Sequence, residues 1–312
     1  MSRFLIIFLS SVLTIYSQTN HSLSFDGNDD HVVLNPIDLS YSDSLTLMCW
    51  VNPSDLTSSV DNAIIRQDCD PPNWLLAFSD NGTTVSFHLG NTSGTYHVLD
   101  YTISPSDFEN TWHHIMGSYN GDNMHIYIDG NLVASREASG NIGFGGNVYG
   151  ARLSIGSHPS NGSYNDENFH GNIDDISVWD VAITEAQIQS YMYTPPTGDE
   201  NGLVGYWNMN EGQGDNPNYN LIDNSGNGNN GIINGATWSS DVPVLGCTDP
   251  YAENYNENAS VDDGSCEYPD NGDYALSFDG VDDYVQLLDI DLPNNFTLSA
   301  SIYNNNYNNY FP

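Results

Sequence analysis

The opening strand pattern of this chain occurs twice. Residues 21–33 (HSLSFDGNDDHVV) return as residues 274–286 (YALSFDGVDDYVQ). Self-similarity after a fixed interval is typical of a modular array, in which each module begins with the same strand. The second copy stops at Pro312, far short of the length of the first. We therefore expect one complete module, followed over residues 273–312 by the truncated start of another.

Short apolar segments fill the first copy. Residues 22–26 alternate apolar with polar side chains, so the apolar ones share one face. Similar segments occupy residues 45–51, 74–78, 85–89 and 126–128. Asp129 and Gly130 follow the last of these and predict a tight hairpin, because glycine adopts a positive φ without steric cost. Many short strands at regular spacing favour an all-β fold, an antiparallel two-sheet jelly-roll sandwich.

One short helix interrupts the strand pattern, near residues 184–192. Thr184 is a suitable N-cap, and Gln187 stands three residues later, the spacing of a capping box. Two prolines then end the first domain. We divide the chain into a signal peptide (1–17), a jelly roll (18–196), an Asn/Gly-rich extension (197–245), a disulfide-bracketed acidic module (246–268) and the second copy.

The charge of the chain excludes some classes of partner. It has 41 Asp and Glu residues against 4 Lys and Arg residues, a net charge of −37. Nucleic-acid binding depends on neutralising phosphates with cationic side chains, so we expect no nucleic-acid partner. An anionic membrane surface is excluded for the same reason. The acidic residues either keep the protein soluble in a salty medium or bind divalent cations where they cluster.

The N-terminus predicts export. Arg3 precedes an apolar stretch at residues 4–16 that is too short to span a bilayer, and Ser17 is a small residue suited to cleavage. No later stretch has the apolar length of a transmembrane helix, so we expect no membrane insertion. The protein is predicted to be secreted, or to lie at the cell surface.

Four cysteines in an oxidising compartment favour disulfides over metal thiolates. Pairing close neighbours gives Cys49–Cys69 and Cys247–Cys266. Each bond closes a loop of roughly 20 residues, which stabilises the fold by about 3 kcal/mol in the chain-entropy treatment.

Several phrases of the sequence occur together and in order over residues 21–192. They are residues 23–30 (LSFDGNDD), 45–51 (LTLMCWV), 111–114 (TWHH), 125–130 (HIYIDG) and 169–179 (FHGNIDDISVW). In this combination the chain resembles the laminin-G-like/pentraxin jelly roll of the concanavalin A-like lectin/glucanase superfamily. Residues 202–208 and 224–231 resemble a segment that often precedes this domain. Here the segment follows, so it either completes the first sandwich or begins the second.

The resemblance implies that the first and last strands of the jelly roll pair with each other. That pairing is expected to bring Asp26, Asp29 and Asp30 close to Asp174 and Asp175. Members of the family bind sugars, glycoproteins or matrix, often with calcium, so the expected partner is a carbohydrate or a cell-surface or matrix ligand.

The first candidate metal site lies at the rim of the sandwich. By alignment with the pentraxin-type site, Asn73 and Glu167 fall on calcium-ligand positions. His158 and Ser160 stand where the family has an acidic pair, which leaves the site short of charged oxygens. The rim also carries further acidic residues that complement the set, Asp68, Asp70 and Asp166. The alternative is a polar loop without an ion.

A second candidate metal set comprises Asp26, Asp30, Asp174 and Asp175. Like charges brought together without a cation disfavour the ionised state, so their clustering favours an ion. The alternative is turn chemistry, since Asp-Gly and Asp-Asp are good turn formers. A third candidate lies between Cys247 and Cys266, where the alternative is a stapled spacer without metal; its oxygen donors are Asp249, Asn254, Asn256, Asp262 and Asp263.

Exposed aromatic side chains at loop tips are predicted to stack on sugar rings. The candidate ligand-binding residues are Trp74, Tyr96, Tyr164 and Phe169, with Asn161, Asn165 and Asp166 as hydrogen-bonding partners. Trp50, Trp112 and Trp179 follow strand patterns and are assigned to the core.

We expect no enzyme in this sequence. Related β-sandwich glucanases place paired carboxylates on a Glu-x-Asp-x-x-Glu strand, which has no counterpart here. His113 and His114 have no nucleophile motif to serve and are interpreted as packed strand residues. The sequence therefore predicts a lectin-like binding module, calcium-assisted. The alternatives are a non-sugar-binding adhesion or structural repeat, and the accessory domain of a larger glycan-degrading enzyme.

Overall fold

Alternating apolar side chains along short segments produce a two-sheet structure, in which each strand turns one face inward. The computed structural model describes residues 20–39, 42–57, 61–68, 73–143, 152–158, 167–212, 220–268 and 285. The chain divides into two compact units, Met1–Tyr268 and Pro269–Pro312. Except for Val285, the predicted second copy lies outside the described residues, as does the predicted signal peptide.

The strands and helices of the first unit follow one another in this order: β1 (Ser22–Asp26), β2 (His31–Leu34), β3 (Leu45–Pro53), β4 (Asn62–Asp68), β5 (Trp74–Ser79), β6 (Thr84–Gly90), β7 (Tyr96–Thr102), α1 (Pro105–Phe108), β8 (His113–Tyr119), β9 (Asn123–Ile128), β10 (Asn131–Glu137), β11 (Arg152–Ile155), β12 (His170–Trp179), α2 (Glu185–Tyr193), β13 (Leu203–Trp207), β14 (Asn220–Leu221), β15 (Gly231–Asn234), β16 (Thr237–Ser239), β17 (Leu245–Gly246) and β18 (Val261–Asp262).

Two eight-stranded antiparallel sheets form the sandwich. The first sheet has the order β10-β9-β8-β3-β12-β1-β16, with β13 also paired to β12. The second sheet has the order β14-β15-β2-β11-β4-β5-β6-β7. The predicted jelly-roll sandwich is therefore confirmed. So is the pairing of first and last jelly-roll strands, because β1 lies antiparallel to β12.

The core lies between the sheets and is built from the inward face of each strand. In β3, Leu47, Cys49 and Val51 point into it, while Met48 and Trp50 point to the outer face of the first sheet. The largest side chains that are fully buried include aromatic residues of both sheets, Phe25, Trp74, Phe78, Phe87, Tyr119 and Phe169. Burial of this apolar area is the main force that holds the sheets together.

The Asn/Gly-rich extension completes the first sandwich. Its strand β13 pairs with β12, β15 pairs with β2, and β16 pairs with β1. Trp207, Leu221 and Ile233 from this extension belong to the main core. Of the two possibilities that the sequence left open, the structure shows the first.

Asp241 fixes the end of the extension to the outer face of the first sheet. Its carboxylate accepts hydrogen bonds from Trp112 Nε1 at 3.0 Å, Asn52 Nδ2 at 3.1 Å and Asn172 Nδ2 at 2.8 Å. Its backbone oxygen accepts a fourth from Ser22 Oγ at 2.6 Å. These donors come from β1, β3, β12 and the residue before β8, so Asp241 joins four segments through its side chain and its backbone oxygen.

Two local predictions are confirmed. Helix α2 begins after Thr184, whose side chain accepts from the backbone of Gln187 while Gln187 bonds back to the N-cap, a complete capping box. Asp129 and Gly130 form the β9–β10 hairpin, with φ values of 48° and 73° that suit a primed turn. In the described part of the chain, no helix is long and apolar enough to cross a membrane.

One predicted disulfide is found and one is wrong. Cys247 and Cys266 are bonded across a separation of 19 residues. Cys49 is a free thiol that is fully buried, because it occupies an inward position in the middle of β3. Its predicted bond to Cys69 is therefore not formed, and Cys69 itself lies outside the described residues.

The two adjacent histidines of β8 have structural partners. His113 Nδ1 lies 2.8 Å from Asp129 Oδ2, and the backbone nitrogen of His114 donates to Asp129 Oδ1 at 2.9 Å. The ring of His114 is buried beside Trp50, with 5.2 Å between the ring centroids. Burial lowers the pKa of His114 to about 4, so this ring is neutral at physiological pH.

Replacing Trp207 by alanine tests whether the extension is part of the core. Trp207 is fully buried, so we expect Trp207→Ala to lower the free energy of unfolding by about 3–5 kcal/mol. The matched control is Ile232→Ala in the same extension, where the side chain is 55% exposed and a loss of no more than about 0.5 kcal/mol is expected. Chemical denaturation measures both. Equal losses would show that the extension does not share the core.

The neutral buried His114 predicts a specific acid sensitivity. Its pKa is about 4 in the folded state and 6.5 in a model peptide, so the unfolded chain takes up the proton first as the pH falls. Stability is therefore lost between about pH 6.5 and pH 4, by on the order of 3 kcal/mol. His114→Phe should remove this component while leaving the titration of the carboxylates in place. Denaturation curves measured across this range would contradict the account if both proteins had the same pH dependence.

Candidate functional site

Arg66 is the centre of a charged cluster at one end of the second sheet. It lies in β4, and its outer-face neighbour is Leu75, which belongs to a small cluster separate from the main core. Arg66 Nε donates to Asp68 Oδ1 at 2.8 Å, and Arg66 Nη1 donates to Glu167 Oε2. His158 Nε2 lies 2.6 Å from Asp68 Oδ2. All four side chains are less than a quarter exposed, so the cluster is held in a partly desolvated setting.

Glu167 occupies a strained backbone position. Its φ is 58°, a left-handed value that is uncommon for a residue with a side chain. The carbonyl of Glu167 accepts from the backbone of Ala63 at 2.9 Å, which ties the segment to β4. Non-glycine residues in such conformations are concentrated at binding and catalytic sites, where the surrounding structure holds them.

A histidine–tyrosine pair continues this surface across the outer face of the second sheet. The strand register places Arg66, Leu75, His88 and Val98 in one row. His88 Nδ1 lies 2.5 Å from the hydroxyl of Tyr96. Burial lowers the pKa of His88 and raises that of Tyr96, so both side chains are neutral and share one hydrogen bond between Nδ1 and the hydroxyl.

Small side chains lie beside this row. Ala77 of β5 pairs with Ser86 of β6, which pairs in turn with Asp100 of β7. Ser86 Oγ donates to Asp100 Oδ1 at 2.7 Å. We call the arrangement of Arg66, Asp68, His88, Tyr96, Asp100 and Glu167 the outer-face cluster.

The predicted pentraxin-type calcium ligands are in part already occupied. Glu167 is bound by Arg66, whose positive charge opposes the approach of a cation to the same carboxylate. Asn73 lies just before β5 and is buried, and its backbone nitrogen bonds to the oxygen of Gln67. Asp70 and Asp166 lie outside the described residues.

The turn between β1 and β2 carries three carboxylates. Asp26, Asp29 and Asp30 have ligand oxygens within 4.8 Å of one another. Asp26 accepts two bonds from Asn28, at 2.9 and 3.1 Å, and these bonds lower the pKa of Asp26. Asp30 accepts from the backbone of Asp26 at 2.8 Å, while its burial raises the pKa of its carboxyl. Asn168 donates to the oxygen of Asn28, so this turn adjoins the segment that carries Glu167.

The prediction that Asp26 and Asp30 form one metal site with Asp174 and Asp175 is wrong. In the β1–β12 pairing, Asp26 faces His170 and not Asp174. Asp174 lies four residues farther along β12, which corresponds to about 13 Å at the usual rise per residue. The two carboxylate pairs therefore occupy separate places on the sandwich.

The third candidate set is engaged in turns. In the acidic module, five side chains accept bonds from backbone nitrogens within the module or take part in its turns: Asp249 from Tyr251, Asn254 from Glu267, Asn256 from Asn258, Asp262 from Gly264 and Asp263 from Ser265. Among the described residues, the three carboxylates that lie close enough together to share a metal ion are those of the β1–β2 turn, outside this module. The geometry of this module agrees with a stapled spacer.

Two of the predicted sugar-stacking residues are wrong. Trp74 and Phe169 are fully buried and point into the core, because each lies on an inward position. Tyr96 is half-buried and lies on the outer face of the second sheet. Trp50, Trp112 and Trp179 are buried, as predicted. The remaining candidates, Asn161, Tyr164 and Asn165, lie outside the described residues.

Sequence reasoning missed Arg66, His88 and Asp100 as members of one surface. Arg66 carries a signal that was available, since arginine is rare in this acidic chain and here directly follows the apolar residues 63–65 of a strand. His88 and Tyr96 come together only through the β6–β7 register, which pairs residues that single-sequence patterns do not relate.

Comparison with known proteins supports the architecture. The laminin G 3 family model, of the concanavalin A-like lectin/glucanases superfamily, matches residues 26–189, slightly more than half of the 312 residues. A Bacteroides ovatus protein, named as a candidate carbohydrate-binding protein, is similar in structure with a TM-score of 0.54 and 21% identity. The match covers 71% of this chain, which spans 60% of that protein's length. At this identity the similarity shows the fold.

A second structural neighbour is the heptameric SAP-like pentraxin of Limulus polyphemus. Its TM-score is 0.49 and its identity 15%, over 72% of this chain and 96% of the pentraxin. No curated protein matches this sequence significantly.

Proposed function

This chain belongs to the laminin G 3 family of the concanavalin A-like lectin/glucanases superfamily, and from that membership we propose that its sandwich binds a carbohydrate. The proposed site is the outer-face cluster of the second sheet. The observation that carries the proposal is the position of Arg66, which is fixed between Asp68 and Glu167 in the same row as His88. Binding, rather than catalysis, is the activity proposed.

The chemistry of this cluster suits sugar hydroxyls. Neighbouring hydroxyls on a pyranose each donate and accept, so they pair well with a guanidinium that donates and a carboxylate that accepts. Arg66 is already held by two carboxylates, so less side-chain freedom is lost when a ligand binds. This pre-orientation supports recognition of a hydroxyl-rich ligand.

Tyr96 supplies the apolar part of the proposed site. The aromatic ring is half-buried beside His88, and its hydroxyl is fixed at 2.5 Å from that ring. An aromatic ring of fixed orientation stacks on the C–H face of a sugar while nearby polar groups bind the hydroxyls. Val98, on the same row as His88, extends the apolar contact.

The overall charge narrows the class of carbohydrate. With a net charge of −37, the protein repels polyanions such as sulfated glycans at long range. Arg66 has its charge balanced by Asp68 and Glu167, which leaves little positive potential for a sulfate or a uronate. The ligand proposed is therefore a neutral glycan.

The proposal includes calcium at the β1–β2 turn. Asp26, Asp29 and Asp30 fit a hard cation in donor chemistry, because their carboxylate oxygens lie within 4.8 Å of one another. Bonds from Asn28 and Asp26 already use some of these oxygens, so a bound ion draws mainly on Asp29 and on the second oxygen of Asp30. An ion there would stiffen the turn that Asn168 links to the Glu167 segment.

Export of the protein is part of the same proposal, either as a secreted protein or at the cell surface. The Cys247–Cys266 disulfide supports it, because such bonds persist in oxidising compartments and are rare in the cytosol. A neutral glycan of a cell surface or matrix is then accessible as the partner.

A glycan-array screen of the full chain, with calcium and with chelator, tests this function. We expect binding to neutral glycans, and a weakening of about tenfold by Glu167→Gln, because one charge-assisted hydrogen bond is replaced by a weaker one. Arg66→Met should abolish binding. The matched control is Glu137→Gln, the same substitution at an exposed position of β10 in the other sheet. Thermal unfolding confirms that each variant is folded.

The outcomes separate the alternatives. Chelator should reduce binding in the wild type, and Asp29→Asn should remove that sensitivity if calcium acts at the β1–β2 turn. Binding that survives both Arg66→Met and Glu167→Gln would move the site away from the outer-face cluster. Failure to bind any glycan, with calcium or with chelator, would contradict the carbohydrate proposal and favour an adhesion or structural repeat.

A further inference from the structure

Strand β12 contains a bulge where its pairing partners change. Along one edge it pairs with β1 over His170–Ile173, and on that same edge β13 takes over from Ile176. Asp174 and Asp175 lie between these two stretches. The register with β3 on the opposite edge also shifts here, and Asp175 has a φ of 48°. Bulges of this kind redirect side chains and are frequent next to functional sites.

The two carboxylates of the bulge differ in burial, since Asp174 is buried and Asp175 is partly buried. Asp174 is fully buried, and its Oδ1 accepts from the backbone of Asp175 at 2.8 Å. Asp175 Oδ1 accepts from the hydroxyl of Tyr206 at 2.7 Å. Tyr206 belongs to the apolar cluster on the outer face of the first sheet, which covers this part of β12.

A third carboxylate approaches from the extension. Glu211 follows β13 and adjoins the start of β1, because the neighbouring Asn210 accepts from the backbone of His21 at 2.9 Å. Glu211 Oε1 accepts from the backbone of Ile222 at 3.1 Å. Burial is the main cause of the raised pKa of Asp174. The negative charges of Asp175 and Glu211 raise this pKa further.

Two of these oxygens are buried without a hydrogen bond. Within the described part of the chain, neither Asp174 Oδ2 nor Glu211 Oε2 has a donor. An ionised carboxylate buried in this way is costly unless a positive group neutralises it. The ion pairs found within the described part of the chain join Arg66, His113 and His158 to Asp68, Glu167 and Asp129, and none of these pairs involves Asp174, Asp175 or Glu211. The chain contains no lysine that could serve instead.

We infer that Asp174, Asp175 and Glu211 form a structural calcium site that fastens the Asn/Gly-rich extension to β12. Calcium prefers several carboxylate oxygens, and Asp174 Oδ2 and Glu211 Oε2 are two that lack other partners. The ligand oxygens of the three residues are not grouped as closely as those of the β1–β2 turn. Binding of the proposed ion therefore requires Glu211 to move towards β12. This site does not depend on the proposed sugar binding.

Calcium content and thermal unfolding of the full chain, with calcium and with chelator, test this inference. We expect calcium to raise the unfolding temperature of the wild type. Asp174→Asn should lose one bound ion, measured by elemental analysis after dialysis, and the part of the rise that this ion supplies. In chelator, however, this variant should unfold at the same temperature as the wild type or higher, because a neutral amide replaces a buried charge. Glu211→Gln is the second variant, should Asp174→Asn not fold.

The matched control is Asp29→Asn in the exposed β1–β2 turn, which should keep the ion at β12 and the part of the rise in unfolding temperature that Asp174→Asn removes. Identical unfolding of the wild type with calcium and chelator would overturn the inference, and a midpoint that responds to pH alone would show that protons neutralise the cluster. Retention of the full calcium effect in Asp174→Asn and Glu211→Gln would overturn it too. No sugar is present in these measurements, so failure of the carbohydrate proposal leaves their interpretation unchanged.

Discussion

The pairing of β12 on both of its edges is the interaction on which the rest of this structure depends. One edge is joined to β3, and the other is shared between β1 and β13. The strand thereby connects the first segment of the sandwich, its centre and the extension that follows it. Its side chains also separate three environments, because Ile173 and Val178 enter the core, Trp179 packs under α2, and Asp174 is enclosed at the bulge. Asp174 and Asp175 lie where the pairing of β12 changes from β1 to β13.

Scarcity of positive charge governs how this protein stabilises its carboxylates. Arg66 neutralises two of them, and several others in the described residues rely on backbone amides or on side-chain donors. Asp26 is stabilised by Asn28, Asp223 by the backbone of Tyr206, Ser225 and Asn229, and Asp241 by an indole and two amides. Hydrogen bonds to an ionised carboxylate are strong enough to hold it in a turn. The buried cluster at the β12 bulge departs from this scheme, and that departure motivates the calcium inference.

Features set by neighbouring residues were predictable from the sequence, whereas features set by register were less so. The capping box at Thr184 and the turn at Asp129 involve residues within a few positions of each other, and the sequence phrases predicted the sandwich through their order. Cys49 was misassigned although its alternation with Leu47 and Val51 marks an inward face. Trp74 and Phe169 were misassigned because each lies at the end of a strand. There the sequence pattern does not distinguish a buried aromatic side chain from one exposed on a loop. The separation of Asp26 from Asp174 follows from where β1 starts along β12, which no local pattern specifies.

The closure of the sandwich by β16 has a consequence for how the chain folds. Ser22 is hydrogen-bonded to Asp241, 219 residues later, and β1 has β16 as its neighbour on one side. Contacts of such long range slow folding, because the loop must close before the contacts can stabilise it. During synthesis, one edge of β1 and one edge of β2 stay unpaired until β15 and β16 have emerged from the ribosome. Residues 231–239 precede the second copy of the opening pattern at residues 274–286, so β15 and β16 can complete the first copy before the second has been synthesised.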